Sequence, residues 1–230
     1  MIAPRRSQLI AVVGGSGAGK GWLIRQLCEL LGDKASHLQL DDFYRDRSNL
    51  PPAHRGKINF DVPQAIDWTA AERVLLDCQA GQPTAVPRYD FATHCRMLEV
   101  EHWQPRPLVF VDGLWLLHRP EVRRLFALKI FLATPLELRR RRRLVRDVAE
   151  RGYEAADVAR RFAADVTPMH DRYVEPQKKW ADLVLEQPFR PAQVTELAQR
   201  LWSLVENASP LPPWLHETFR AELTTHLVSP

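Results

Sequence analysis

The chain has 230 residues, of which 45% are hydrophobic, and a net charge of +4. This apolar fraction is enough for a buried core and excludes disorder for most of the chain. The longest apolar runs, at 9–13 and 108–117, are too short to cross a membrane or are interrupted by Asp112. A short apolar stretch follows Arg5 and Arg6 but leads into a glycine loop without a signal-peptide cleavage site, so we expect a cytosolic protein.

Basic charge is concentrated in one segment. Residues 139–151 contain seven arginines against Asp147 and Glu150, a net +5, which leaves −1 for the rest of the chain. A compact arginine cluster fits a nucleotide phosphate better than a long nucleic acid, which needs a wider basic face. We therefore expect neither a nucleic-acid partner nor a membrane partner.

Strands and helices alternate along the chain. Short apolar, β-rich runs predict strands, and apolar residues at helical spacing predict helices. The predicted strands are 9–13, 37–40, 84–86, 97–102, 108–111, 128–132 and 183–185. The predicted helices are 23–31, 68–78, 121–126, 136–149, 155–164 and 191–204. This alternation predicts an α/β fold with a doubly wound parallel sheet, and strands 84–86 and 97–102 predict a hairpin arm.

A glycine-rich loop lies between the first predicted strand and the first predicted helix. Residues 14–21 read GGSGAGKG, which fits GxxxxGK in the context that gives this pattern its meaning. Its backbone N–H groups can turn towards phosphate oxygens, and Lys20 can reach the β and γ phosphates of ATP. The residues predicted to bind the nucleotide are Gly14, Gly15, Ser16, Gly17, Ala18, Gly19, Lys20, Gly21 and Trp22.

The loop lacks the hydroxyl side chain that normally follows its lysine and binds Mg²⁺. Gly21 occupies that position and Trp22 the next one. A water can replace the hydroxyl because Mg²⁺ commonly keeps several waters, and carboxylates must then hold the ion.

Several motifs in one order resemble the uridine kinase and phosphoribulokinase group of P-loop kinases, most closely the uridine–cytidine kinases. The motifs are GGSGAGKG at 14–21, DDFYRD at 41–46, NFDVPQAID at 59–67, PRYDFATHCR at 87–96, VDGLWLL at 111–117, RRLVRDVAERG at 142–152 and QKKWAD at 177–182. The resemblance implies a P-loop NTPase-type sheet with a β-hairpin substrate arm and an arginine-rich helical lid. Its implied divisions are a kinase domain at 1–206, the arm at about 83–104, the lid at about 136–165, and a tail or appended helix at 207–230.

The resemblance also implies the catalytic and metal-binding residues. Asp41 matches the aspartate that accepts or orients the proton of a sugar 5′-hydroxyl, a role that suits a carboxylate aimed at the γ-phosphate. Capping of a turn by Asp41 or Asp42 is the alternative. Asp112 stands where the family usually has glutamate and, with Asp41, is predicted to bind Mg²⁺. Lys20, Asp41 and Arg146 are the predicted catalytic residues.

The acceptor is implied to bind between the arm and the central sheet. Asp61 matches a residue that bonds the ribose hydroxyls, and Tyr44 and Phe60 are expected to line the cleft. Tyr89 and His94 match residues that contact a pyrimidine ring, through an aromatic wall and a hydrogen bond at its 4-position. A solvated loop histidine is the alternative for His94.

The arginine-rich helix is implied to form the lid. Arg139, Arg143 and Arg146 share one helix face at i, i+4 and i+7. The resemblance places Arg143 near the ribose and Arg146 and Arg151 over the ATP phosphates, where guanidinium groups neutralise charge and exclude water. Residues 140–142 are expected to be partly solvated or paired, and a solvated basic helix is the alternative for the whole run.

The leading hypothesis is Mg²⁺- and ATP-dependent phosphorylation of the 5′-hydroxyl of uridine or cytidine. Tyr153 and Arg161 depart from the family pattern near the base, so the acceptor stays open to another small alcohol, such as nicotinamide riboside or phosphoribulose. That alternative follows if Tyr89 and His94 do not face the acceptor cleft. A third hypothesis is a nucleotide-binding protein that lost turnover with the change to Gly21. Family members often form tetramers, so the resemblance also allows a homo-oligomer without indicating its interface.

Overall fold

A computed structural model describes residues 6–55 and 57–206, so the predicted tail or appended helix at 207–230 lies outside the described residues. The strands are β1 (Gln8–Gly14), β2 (Ala35–Gln39), β3 (Thr84–Asp90), β4 (Cys95–Trp103), β5 (Leu108–Gly113), β6 (Leu128–Ala133) and β7 (Leu183–Glu186). Five of them form a parallel sheet in the order β2-β5-β1-β6-β7. The predicted α/β fold with a parallel central sheet is confirmed.

Helices connect the parallel strands and cover both faces of the sheet. They are α1 (Lys20–Leu31), α2 (Pro52–Arg55), α3 (Trp68–Gln79), α4 (Pro120–Arg123), α5 (Leu136–Ala149), α6 (Ala155–Arg161), α7 (Thr167–Met169) and α8 (Pro191–Glu206). Helix α3 begins where the Asp67 side chain accepts the backbone N–H of Ala70 at 3.1 Å, as a helix-capping aspartate does. In the part of the chain that is described, no helix is both long and apolar enough to cross a membrane.

The core consists of two apolar layers, one on each face of the sheet. Side chains alternate along a strand, so Leu9, Ala11 and Val13 of β1 pack with α3 and the loop after β5. Ile10 and Val12 point the other way and pack with α1 and α8. A strand buried on both faces requires a continuous apolar sequence, which β1 has.

Residues 155–180 form one irregular helical stretch that ends against the loop after β5. It contains two π-helical turns, at 162–166 and 170–174. Near its end, the fully buried Gln177 donates to the carbonyl oxygen of Leu114 at 2.7 Å and accepts the backbone N–H of Leu117 at 2.8 Å. These bonds fix the loop that follows Asp112.

Three segments that carry predicted site residues lie together at the carboxyl ends of the parallel strands. The phosphate loop follows β1, Asp41 lies in the turn after β2, and Asp112 is near the end of β5. Since β2, β5 and β1 are neighbours and run parallel, their carboxyl ends meet. The antiparallel hairpin of β3 and β4 pairs Thr84 with Trp103 and Asp90 with Cys95.

Candidate active site

The phosphate loop is shaped by glycines and packed against helix α5. Gly17 and Gly19 have φ angles of 78° and 89°, which favour glycine. A Cβ atom at Gly17 would also overlap the backbone carbonyl oxygen of Arg139. The Lys20 ammonium donates to the carbonyl oxygens of Gly14 at 3.0 Å and Gly15 at 3.2 Å. The Lys20 side chain is therefore held against the backbone of the loop.

The outer side of the loop is held by two other segments. The carbonyl oxygen of Ala18 accepts hydrogen bonds from the Thr134 hydroxyl at 3.2 Å and the Gln187 amide at 3.1 Å. The Gln187 oxygen in turn accepts from Arg142 at 3.2 Å. Arg142, expected to be partly solvated or paired, is thus paired against the phosphate loop.

Arg139 has a different role from the two arginines with which it shares a helix face. It is 4% exposed, donates through Nε to the carbonyl oxygen of Thr134 at 3.2 Å, and lies against Gly15. Arg143 and Arg146 instead contact acidic side chains. The helical spacing places the three on one side of α5, but their positions along the helix decide which element each one meets.

Asp41 lies in a half-buried cluster of charges beside the loop. Burial raises the pKa of Asp41, and the nearby carboxylate of Asp112 raises it further. The cations of Lys20, Arg151 and Arg146 act in the opposite direction. Burial lowers the pKa of Lys20, whereas Asp112 and Asp41 raise it. Lys20, Asp112, Arg146 and Arg151 therefore all lie within electrostatic reach of Asp41.

The residues present fit a Mg²⁺ ion that is held partly by phosphate oxygens. Asp41 and Asp112 repel each other at a partly buried position, and a bound divalent cation would relieve this repulsion. A Cβ atom at Gly21 would meet nothing within 4 Å, so there is room for a water where the hydroxyl is missing. Among residues 6–55 and 57–206, no cluster of three or more His, Cys, Asp or Glu could hold a metal alone. Two carboxylates plus substrate phosphates are a usual Mg²⁺ environment.

An aromatic cluster lines the region between the sheet and the hairpin. The Tyr44 ring meets Phe60 and Phe91 edge-on, at 5.7 Å and 6.4 Å between centroids, and is tilted by 47° against Tyr89 at 5.3 Å. The His94 ring stacks on Phe60 at 4.7 Å with an interplanar angle of 13°. All four predicted cleft-lining rings therefore belong to one cluster, to which the structure adds Phe91.

The two positions that depart from the family pattern lie near this cluster. The Tyr153 hydroxyl donates to the carbonyl oxygen of Phe91 at 2.8 Å, which ties the end of the lid to the hairpin. Burial lowers the pKa of His94, and the positive charge of Arg161 lowers it further. Both effects favour a neutral imidazole, which can donate one hydrogen bond and accept another.

An ion-pair network connects Asp61 to the lid arginines. Arg143 pairs with Asp61 at 3.2 Å and with Asp147 at 3.1 Å. Asp147 also pairs with Arg146 at 2.8 Å and Arg151 at 3.5 Å. The structure therefore brings the predicted acceptor-binding carboxylate and all three predicted lid and ribose arginines into one connected group.

Sequence reasoning missed two members of the site. Asp147 entered only as a negative charge in a basic run, although its i+4 spacing from Arg143 and i−4 spacing from Arg151 are the spacings of helical ion pairs. His37 was part of a predicted strand only, yet its Nε2 lies 2.8 Å from Asp112 Oδ1. No spacing could reveal that contact, because it joins two strands that are distant in sequence.

A parallel α/β sheet with a GxxxxGK loop after β1, an aspartate after β2 and an arginine-rich helix after β6 defines a P-loop kinase. The model of the Phosphoribulokinase / Uridine kinase family matches residues 9–192. The chain belongs to this family, as its motifs predict, and the prediction of a phosphotransferase with an alcohol acceptor is confirmed.

Individual relatives agree with this assignment. A uridine kinase of Chloroflexus aurantiacus is 38% identical over 177 residues, which are 76% of this chain and 85% of that relative. A uridine kinase of Staphylococcus carnosus is 33% identical over 201 residues, 86% of this chain and 97% of the relative. The phosphoribulokinase structure from Rhodobacter spheroides shares the fold, with a TM-score of 0.58 at 20% identity, over 79% of this chain and 70% of that one.

Proposed function

We propose that this chain transfers the γ-phosphoryl group of ATP to the 5′-hydroxyl of uridine or cytidine. One observation carries the proposal: Asp41 lies within electrostatic reach of Lys20, Arg146 and Arg151, beside an aromatic cleft. A carboxylate, a phosphate-binding lysine and two guanidinium groups are what in-line transfer to an alcohol requires. The uridine kinase names of the relatives in Chloroflexus and Staphylococcus support a nucleoside as the acceptor.

On the donor side, the loop from Gly14 to Trp22 would surround the phosphates, with Lys20 at the β and γ positions. Arg146 and Arg151 would cover the γ-phosphoryl group and neutralise charge that develops during transfer. Asp112 and Asp41 would hold Mg²⁺, which when bound screens the negative charge of the phosphate oxygens.

Asp41 would align the acceptor hydroxyl and take its proton. The hydroxyl oxygen bonds to the γ-phosphorus, the bond from that phosphorus to the β–γ bridging oxygen breaks, and ADP leaves. Burial raises the pKa of Asp41, which makes its carboxylate a better proton acceptor than an exposed one. The reaction then yields a nucleoside monophosphate, with no group left on the protein.

Recognition of the acceptor would divide between Asp61 and the aromatic cluster. Asp61 Oδ1 accepts a hydrogen bond from Arg143, so Oδ2 is the oxygen that would accept a ribose hydroxyl. His94 and Tyr89 would frame the base, His94 through its neutral ring nitrogens. A site built to bond two hydroxyls discriminates against acceptors that lack them.

The proposal is tested with a panel of acceptors, ATP and Mg²⁺, followed by identification of the phosphorylated product. The panel contains uridine, cytidine, 2′-deoxyuridine, nicotinamide riboside and a phosphorylated pentulose. We expect the highest kcat/KM with uridine or cytidine, and a loss of at least about 100-fold in kcat for Asp41→Asn. Preference for a non-pyrimidine alcohol would refute the proposed acceptor. Full activity of Asp41→Asn would refute the proposed role of Asp41.

The absence of a hydroxyl at Gly21 favours one competing function, nucleotide binding without turnover. This alternative predicts that ATP binds with measurable affinity while no acceptor in the panel is phosphorylated above background. It also predicts that Gly21→Thr restores no transfer. Calorimetric titration with ATP and the product assay together separate it from the kinase proposal.

A further inference from the structure

One buried carboxylate contacts three arginines of the site. Asp147 is 1% exposed and accepts from Arg143 Nε at 3.1 Å through one oxygen. Its other oxygen accepts from Arg146 Nε at 2.9 Å and Nη2 at 2.8 Å, and lies 3.5 Å from Arg151 Nη1. Three cations converge on a single anion, so this group retains positive charge that Asp147 alone does not cancel.

The contacts with Asp147 do not use all the nitrogen atoms of the three guanidinium groups. Arg146 uses its Nε and Nη2 edge on Asp147, and its Nη1 takes no part in that pairing. Arg146 and Arg151 keep 34% and 21% of their side-chain surface exposed, whereas Arg143 is directed through Nη1 to Asp61. Asp147 therefore fixes the inner edges of the guanidinium groups while two of them still reach solvent.

A second set of contacts holds the end of this network in place. The backbone carbonyl of Asp147 accepts from the Tyr153 N–H at 3.1 Å, and the Tyr153 hydroxyl donates to the carbonyl of Phe91 at 2.8 Å. The Arg151 guanidinium lies over the Phe91 ring, 4.2 Å from its centre. These contacts attach the ion-pair network to the hairpin as well as to α5.

We propose that Asp147 is a positioning residue that keeps Arg146 and Arg151 converged on the transferring phosphoryl group. Without a shared anion, adjacent guanidinium groups repel one another and separate into solvent. Catalytic guanidiniums lose their effect when they move by about 1 Å. The inference rests on the proposed phosphoryl transfer, and it concerns a residue that would touch neither substrate.

The test compares kcat and KM for uridine and ATP in wild type and two variants. Asp147→Asn keeps the shape of the side chain and removes its charge. Asp157→Asn is the matched control, because Asp157 forms an exposed ion pair with Arg160 at 2.7 Å in the following helix. We expect about 100-fold lower kcat for Asp147→Asn, with KM for uridine changed less than about threefold, and the control within about twofold of wild type.

A double-mutant cycle separates positioning from a merely structural role. In a background with Arg146→Gln and Arg151→Gln, Asp147→Asn should lower kcat by less than about threefold, because the groups it positions are gone. A decrease in kcat of about 100-fold in that background, or a kcat for Asp147→Asn close to wild type in the unmodified background, would overturn the inference.

Nuclear magnetic resonance of ¹⁵N-arginine in the wild-type protein tests the same point without turnover or mutation at Asp147. We expect the Nε–H of Arg146 to exchange with water more slowly than that of the exposed Arg141, both alone and with inorganic tripolyphosphate. Equal exchange rates, or loss of protection with tripolyphosphate, would contradict the positioning role. If no acceptor is phosphorylated by wild type, the proposed function fails, and the exchange rates still decide whether Asp147 holds Arg146.

Discussion

Asp42 is a buried carboxylate whose ionisation should cost the protein stability. It is 9% exposed in the turn that carries Asp41, and burial raises its pKa from 3.8 to about 6. Arg88 and the backbone N–H of Tyr89 lower this pKa, but burial and the neighbouring Asp41 outweigh them. We therefore expect Asp42→Asn to increase the free energy of unfolding at neutral pH.

The sign and size follow from proton linkage. Between about pH 4 and pH 6 the folded state binds more protons than the unfolded state, because the folded pKa is the higher one. The free energy of unfolding thus falls as the pH rises through this window, and the penalty is complete above about pH 6. At about 1.4 kcal/mol for each pH unit, the gap between 3.8 and about 6 corresponds to at most about 3 kcal/mol. Because asparagine must still satisfy its own amide, we expect a gain of about 2 kcal/mol.

Urea unfolding of both proteins from pH 4 to pH 8 measures the effect. The gain should be largest at pH 8 and should shrink towards pH 4, because protonation of Asp42 in the folded state removes most of the penalty. Asp46→Asn provides a control of opposite sign, since a hydrogen bond from Ser48 lowers the pKa of Asp46. A gain that stays constant across the pH range, or a loss at pH 8, would refute the assignment to ionisation.

Three further changes test the site. Gly21→Thr has room for its side chain and should lower the Mg²⁺ concentration for half-maximal activity several-fold, measured by Mg²⁺ titration. His94→Asn keeps a residue that tolerates the φ angle of 56° but removes the ring stacked on Phe60, so KM for uridine should rise about tenfold while KM for ATP stays constant. Gly17→Ala forces a left-handed conformation costing about 1–2 kcal/mol and overlaps the Arg139 carbonyl, so calorimetry should show weaker ATP binding.

Gly17→Ala has a matched control variant, and each of the three changes has an outcome that would contradict it. Gly21→Ala adds a methyl group in open space and should leave ATP affinity close to wild type, in contrast to Gly17→Ala. An equal loss of affinity in both alanine variants would contradict the packing argument. Unchanged Mg²⁺ dependence in Gly21→Thr would exclude direct coordination at that position. A parallel rise in KM for both substrates of His94→Asn would point to a damaged hairpin rather than a lost base contact.

The sheet was predictable because its central strands β1 and β5 contain continuous apolar runs and the phosphate loop has a fixed spacing. The strand predicted at 84–86 continues to Asp90 in β3, because the chain accommodates Pro87 at an irregularity and pairs again from Tyr89. The helix predicted at 121–126 is shorter, since α4 ends at Arg123. Such ends depend on tertiary contacts, which outweigh local propensity.

Motifs in the sequence indicated residues that the structure brings together, but not the partners of those residues. Motifs identified Asp61 and Arg143, yet their contact joins segments 82 residues apart. Helical spacing placed Arg139 beside Arg143, whereas burial against the phosphate loop distinguishes the two. Pairings of this kind depend on how α5 crosses the loop, which a one-dimensional pattern does not encode.

The carbonyl of Ala18, held by Thr134 and Gln187, has a consequence for the thermodynamics of binding. A loop whose outward oxygen is already bonded on both sides keeps its curvature before any nucleotide arrives. The entropy lost on nucleotide binding should then come mainly from the ligand and from the lid, and little from this loop. If Thr134 or Gln187 were replaced, the loop itself would lose conformational entropy when ATP binds. ATP binding would then be entropically less favourable at nearly the same enthalpy.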